Sequence, residues 1–239
     1  MLSPNVRSTY TSALMPPPGM AFSEAIATTY SLDPALLLEA PVYLALMAGD
    51  GGESKRDVLC VLEAIRRHSN KITVYVQRGR IAVPGHTTTL YGLLESMAVQ
   101  VTSPNGGVFH PKLWLIRFAS PDQGDQLLRL VVLSRNLTTD RSWDLSLQLE
   151  GKLTGRPRSE NRALAELIRR LPQWATSKVD EVRADQASRM ADDVRRAEWE
   201  LPLGLNEYLP RFFVPGIEGY GWKPDHSARM AVISPFCGS

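Results

Sequence analysis

The sequence predicts an α/β fold in which a sheet is flanked by helices, and three observations carry that expectation. Apolar runs of strand length stand at Ile72–Val76, within Phe109–Phe118 and at Leu127–Leu133. Val58, Leu59, Leu62 and Ile65 recur at helical spacing just before the first of these runs, so helix leads into strand. Glu160–Leu171 and Lys178–Glu200 read as charged helices to pack against the sheet, separated by Pro172 and Trp174. With 239 residues, 44% hydrophobic and 22% charged, the chain resembles an ordinary soluble globular protein and has room for a substantial core.

Residues 1–20 are rich in Ser, Thr and Pro and end in Pro16-Pro17-Pro18-Gly19, which predicts a poorly ordered arm. Phe22–Leu32 carries Thr, Tyr and Ile and reads as a strand; Asp33 and Pro34 then supply a cap and first-turn residue for a helix to about Met47. Gly49-Asp50-Gly51-Gly52 reads as a plain turn, because no Lys-Ser or Lys-Thr pair follows to complete a phosphate-binding loop. Ser54 is expected to cap the next helix. A short helix is predicted over Thr87–Met97, then a strand at VQV and a turn over Ser103–Gly107. Leu201–Tyr220 is irregular by its Pro, Gly and aromatic content, and MAVISPF near the end reads as the beginning of another strand.

Phe109 to Leu147 holds the residues with chemistry to offer. In an extended FHPKLWLIRF, His110, Lys112, Trp114 and Ile116 share one side, which sets an imidazole beside an ammonium. The second strand delivers Ser134 and Asn136 at its end, and pairing the two as a hairpin gathers His110, Lys112, Ser134 and Asn136 at one end of the sheet. That set suits a phosphodiester: an imidazole to attack phosphorus, with ammonium, hydroxyl and amide donors for the phosphoryl oxygens. The competing reading, a core hairpin with an incidental His and Lys, is disfavoured because burying either among Leu, Val and Trp without a partner is costly.

His110-Pro111-Lys112 followed by SRNLT resembles the phospholipase D superfamily, whose half-site is H-x-K (the HKD motif), a strand, and a second strand ending in a Gly/Ser-x-Asn turn. The resemblance covers residues 100–150 and is nearest to the nuclease-like and tyrosyl-DNA phosphodiesterase-like branch. It implies a phospholipase D-like mixed sheet flanked by helices, one half of a two-half architecture. The implied domains are a disordered arm over 1–20, the α/β domain over 21–200, and an irregular 201–239 leading into a second half. It also implies catalytic roles for His110, Lys112 and Asn136, and a substrate-binding role for Ser134. Arg117 stands where the full pattern has Asp; the tyrosyl-DNA phosphodiesterase branch also lacks that Asp, so its loss here points to that branch without abolishing the chemistry. Asp144 or Gln148, beyond the turn, are candidates to orient the imidazole from behind.

The function implied is a metal-independent phosphodiesterase, a nuclease or DNA-end-processing hydrolase working through a phosphohistidine, with nucleic acid as partner and no cofactor. The alternative is an inactive phosphate- or nucleic-acid-binding module that pairs with a complete partner. The net charge of +2 argues neither for nor against DNA binding. Cys60 and Cys237 form no disulfide framework or metal cluster, and neither a leader nor a bilayer-spanning run is recognisable, so the expected location is cytoplasmic, without a membrane partner. His68, His86 and His226 are followed by SNK, TTT and SAR, so none repeats H-x-K, although the implied chemistry needs a histidine on each side of phosphorus. Either a missing C-terminal half or a homodimer must supply it, and truncation is the favoured expectation. A truncated chain should be monomeric and largely inactive by light scattering and activity assay; a stable, active dimer whose mixed His110→Ala heterodimers lose turnover would rule this out.

Overall fold

The computed structural model describes residues 10–47, 58–86, 89–121, 124–139, 144–202, 205 and 209–222. Seven strands form one mixed sheet in the order β3-β2-β1-β4-β5-β6-β7. They are β1 (Ala21–Thr29), β2 (Ile72–Gln77), β3 (Ala98–Val101), β4 (Leu113–Ala119), β5 (Gln126–Leu133), β6 (Ser146–Leu153) and β7 (Ala197–Glu200). β1, β2 and β3 run parallel, and from β4 onward each neighbour is antiparallel. The C-terminal ends of β1, β2, β3 and β5 therefore meet the N-terminal end of β4 at one edge, and that edge carries the candidate site.

The helices are α1 (Tyr10–Leu14), α2 (Pro34–Met47), α3 (Val58–Ser69), α4 (Tyr91–Glu95), α5 (Arg162–Arg170) and α6 (Glu181–Arg196). Alternation along the strands divides the core in two. Ala25, Ala27, Val74, Val76, Trp114, Ile116 and Phe118 face one side and pack with Leu14, Leu37, Ala40, Leu44 and Leu94. Ile26, Tyr75, Leu113, Leu115, Leu128 and Leu130 face the other side, against Leu164, Ile168, Met190 and Val194 of α5 and α6. With both faces covered, central strands become continuous apolar runs, which is why they were legible in the sequence. Helix starts follow their caps: Asp33 Oδ1 accepts from Ala35 N at 2.9 Å and Asp180 Oδ1 from Arg183 N at 2.9 Å.

Three expectations change. Residues 10–20 are not a loose arm, because α1 lies on the sheet with Leu14 buried, tied down by Arg129, whose Nη1 donates to the carbonyls of Ala13 (3.0 Å) and Met15 (2.6 Å). The predicted helix to Glu200 ends at Arg196, and Ala197–Glu200 is strand β7; Ala197 and Trp199 point inward while Glu198 and Glu200 point out, a period-2 pattern hidden inside a charged stretch. β4 begins at Leu113, so His110 and Lys112 lie on the approach to it, although Leu133 N still donates to Lys112 O at 2.9 Å. The turn Gly49–Gly52, the Ser54 cap, His226, Cys237 and the MAVISPF strand fall outside the described residues. Among the described residues no helix is long and apolar enough to cross a membrane.

Arg117 acts in the packing of α6. Its Nη1 is 3.1 Å from Glu24 on β1 and its Nε 3.5 Å from Asp193 on α6, while Arg189 reaches the second oxygen of Glu24 at 3.2 Å. All three central side chains are largely enclosed, so removal of one would leave its partners desolvated and uncompensated. At the far edge of the sheet, a Cβ at Gly151 would stand 2.8 Å from the Trp199 ring, which packs against that bare backbone. Gly151→Val should therefore cost about 1–3 kcal/mol through overpacking, read as a lowered urea midpoint at unchanged slope.

Candidate functional site

The last residues of β1 build the site. Thr28 Oγ1 donates to Pro111 O at 3.0 Å and accepts from Leu113 N at 3.3 Å, which holds the peptide on either side of Lys112 against the strand end. Thr29 Oγ1 donates to Ser31 O at 2.8 Å and accepts from Leu137 N at 3.0 Å, fixing the chain just beyond Asn136. Phe109 N donates to Gln77 Oε1 at 2.7 Å, so the segment before His110 is also anchored to the end of β2. Two hydroxyls and one carboxamide thus fix three loops that no regular ladder would hold.

On this frame His110 and Lys112 touch. Lys112 Nζ is 2.9 Å from Nδ1 and 3.0 Å from Nε2 of the imidazole. Nearly equal distances to both nitrogens place the amine against the face of the ring, since in the ring plane they would bring it onto the carbon between them. The Tyr30 ring lies against the imidazole with centroids 5.1 Å apart. Tyr30 N donates to Asn136 Oδ1 at 3.3 Å, which leaves the amide hydrogens of Asn136 as its donors toward a ligand. Tyr30 is therefore the common neighbour of His110 and Asn136. The guanidinium of Arg80 sits over the Tyr30 ring, Cζ 5.1 Å from its centroid.

The structure brings His110, Lys112 and Asn136 together around Tyr30. Ser134 is at the same sheet end, but its hydroxyl donates to Asp144 Oδ1 at 3.2 Å and accepts from Leu145 N at 2.9 Å, bracing the turn between β5 and β6. Asp144 also pairs with Arg135 at 3.3 Å. Gln148 lies further along β6, opposite Val131, and donates to Glu150 at 2.9 Å. Its contact is thus with the carboxylate that holds Arg129 at 2.6 Å. His68 is buried at the opposite end of the sheet beside Phe22, and His86 is exposed in the segment after β2. Among the described residues no group of three or more His, Cys, Asp or Glu side chains is arranged to hold a metal ion.

Partial burial, and secondarily the Lys112 ammonium, hold the His110 pKa below the ordinary histidine value. Burial likewise lowers Lys112 from the ordinary lysine value. A depressed histidine pKa means that the ring loses its proton at a lower pH than in a free peptide, so the neutral, nucleophilic form dominates at pH 7.

Thr28, Thr29, Tyr30, Gln77 and Arg80 are absent from the motif-based reading. Their one sequence signal is position: each lies at or just past the C-terminal end of a strand in the parallel part of the sheet, where α/β folds place their sites.

No protein-family model matches the chain, and no curated protein matches it. Among solved structures it is similar to a crystal structure of a yeast tyrosyl-DNA phosphodiesterase mutant, at 14% sequence identity and a TM-score of 0.42. The likeness covers 70% of this chain and 34% of that one, so the chain spans about a third of that protein's length.

Replacing Lys112 by Met should raise the His110 pKa, since a like charge that opposes protonation is removed while the ring stays partly buried. The Hε1 resonance of His110, followed by NMR across pH, should move its midpoint upward in Lys112→Met. An unchanged midpoint would mean that the two side chains do not sense each other.

Proposed function

We propose that this chain contributes a phospholipase D-like half-site for phosphodiester cleavage, with nucleic acid as the substrate class. The observation that carries the reading is the contact pair of His110 and Lys112, the imidazole kept neutral, against the same Tyr30 whose backbone holds the amide of Asn136. A phosphate oxygen is a better partner for an ammonium than a neutral imidazole is. A bound phosphodiester therefore draws Lys112 off the ring onto an oxygen and leaves an in-plane ring nitrogen lone pair to face phosphorus.

In this reading the His110 nitrogen forms a bond to phosphorus as the ester bond to the leaving oxygen breaks. A proton donor from a second half-site protonates that oxygen. The same group then takes a proton from water, whose oxygen attacks the phosphohistidine and returns His110 to its neutral state. Lys112 and Asn136 hold the non-bridging oxygens as charge builds on them. Ser134 is proposed to bind substrate indirectly, by bracing the turn that carries Asn136, and Asp144 shares that work. The donor for the leaving group is proposed to come from a further segment of chain or from a second copy. A chain that binds without turning over even with a second half-site in place would instead be a recognition module.

His110→Ala should abolish hydrolysis of bis(p-nitrophenyl) phosphate and of labelled single-stranded DNA. Lys112→Ala and Asn136→Ala should each lower kcat by about 100- to 1000-fold, the loss seen when one such donor is removed elsewhere. EDTA should leave the rate unchanged. Undiminished activity in His110→Ala would eliminate the mechanism, and binding without turnover even when a second half-site is supplied by a dimer or a longer chain would identify the module.

A further inference from the structure

We infer that Arg80, shelved on Tyr30, forms an anion subsite next to the His110–Lys112 pair, and that it takes a second, unreacting phosphate of a polyphosphodiester strand. The identity of the ligand rests on the function proposed above; the existence of an anion subsite rests on the geometry alone.

The Arg80 backbone is fixed on three sides. Its N–H donates to Gln77 O at 3.1 Å, its carbonyl accepts from Leu32 N at 2.9 Å, and the preceding Gly79 adopts φ 72° while donating to Gln100 Oε1 at 2.9 Å. Glycine is required for that turn, because side-chain-bearing residues disfavour positive φ. The turn carries Arg80 up to the face of Tyr30, and a guanidinium stacked on a ring keeps its N–H donors in its own plane, available to an anion at its edge. Neither Arg80 nor Arg78, exposed on the same turn, has a carboxylate partner among the described residues. By contrast Arg66, Arg117, Arg129, Arg169 and Arg196 each pair with an acid.

Two contacts of 5.1 Å, ring to ring and ring to guanidinium, put the Arg80 charge within about 10 Å of the imidazole. Lys112, touching His110, serves the phosphate at the reacting position. Arg80 shares Tyr30 as a neighbour with that position. Its reach is suited to a neighbouring phosphate on the same strand, and a ligand whose one phosphate sits on Lys112 leaves Arg80 without a partner in the ligand.

The test uses a His110→Ala background, so that binding is read without turnover. Affinities are measured by fluorescence anisotropy for a short labelled oligothymidylate, and by competition for p-nitrophenyl thymidylate, which has one phosphate. Arg80→Ala should weaken oligothymidylate about fivefold, as for loss of an exposed ion pair of about 1 kcal/mol. It should also flatten the dependence of log affinity on log salt by about 0.7, the value for one phosphate of a single strand. The monophosphate ligand should bind as before. Arg80→Met, which keeps a stem over Tyr30 without the charge, should behave like Arg80→Ala. Unchanged oligothymidylate affinity in Arg80→Ala, full affinity in Arg80→Met, or equal loss for both ligands would overturn the subsite. Oligothymidylate binding that depends on Arg80, with no cleavage even by a dimer or a longer chain that supplies the second half-site, would leave the subsite standing and remove the catalytic reading.

Discussion

The arrangement depends on two adjacent hydroxyls at the end of β1. Thr28 both donates and accepts across to the chain around Lys112, and Thr29 does the same toward Ser31 and Leu137. Both side chains are buried, where an unsatisfied polar atom costs about 1–3 kcal/mol, so these bonds are held by the penalty of breaking them as much as by their own strength. The position is special for topological reasons. β1 is the seam between the parallel and antiparallel parts of the sheet, with β2 on one side and β4 on the other. At its end the ladder stops, and side chains must take over the backbone groups that the ladder had satisfied.

The same seam explains how His110, Lys112 and Asn136 are held in place without being buried. The apolar body of the sheet, with Trp114 and Phe118 on one face and Leu115 and Leu130 on the other, fixes β4 and β5 against movement. The residues that matter chemically project from the strand ends, where they remain half-exposed. Partial burial then lowers the pKa of both His110 and Lys112. Desolvation and the proximity of the ammonium act in the same direction on the imidazole, both favouring its neutral state. Tyr30 adds shape: its ring lies against the imidazole, its backbone orients the Asn136 amide, and Arg80 sits over the same ring.

Away from the site, charge is used to attach layers. Glu24, Arg117, Asp193 and Arg189 link β1, β4 and α6 through one network, and Arg129 binds Glu150 while anchoring the carbonyls of the N-terminal helix. Such enclosed networks specify which helix sits where more than they add net stability. Arg117, whose place the phospholipase D pattern gives to Asp, is employed here in tying a helix to the sheet.

Sequence alone determined the elements whose signal is local. The apolar runs of β2, β4 and β5 and the capped start of α2 follow from residues within one element, and the i, i+2 spacing of His110 and Lys112 required them to meet once the chain was extended. The antiparallel return of β5 brought Asn136 to the same end by connectivity. Tertiary structure decided the rest. Thr28 reaches Pro111 and Tyr30 reaches Asn136 across separations of 83 and 106 residues, which no periodicity records. The 10–20 segment is ordered by Arg129, more than a hundred residues away. β7 exists because β6 offers an edge on which Ala197 and Trp199 can turn inward over Gly151, whereas the same letters in isolation continue a charged helix. A local pattern states which face of an element is apolar; which polar side chains meet at its end is settled only when the strands are laid in order.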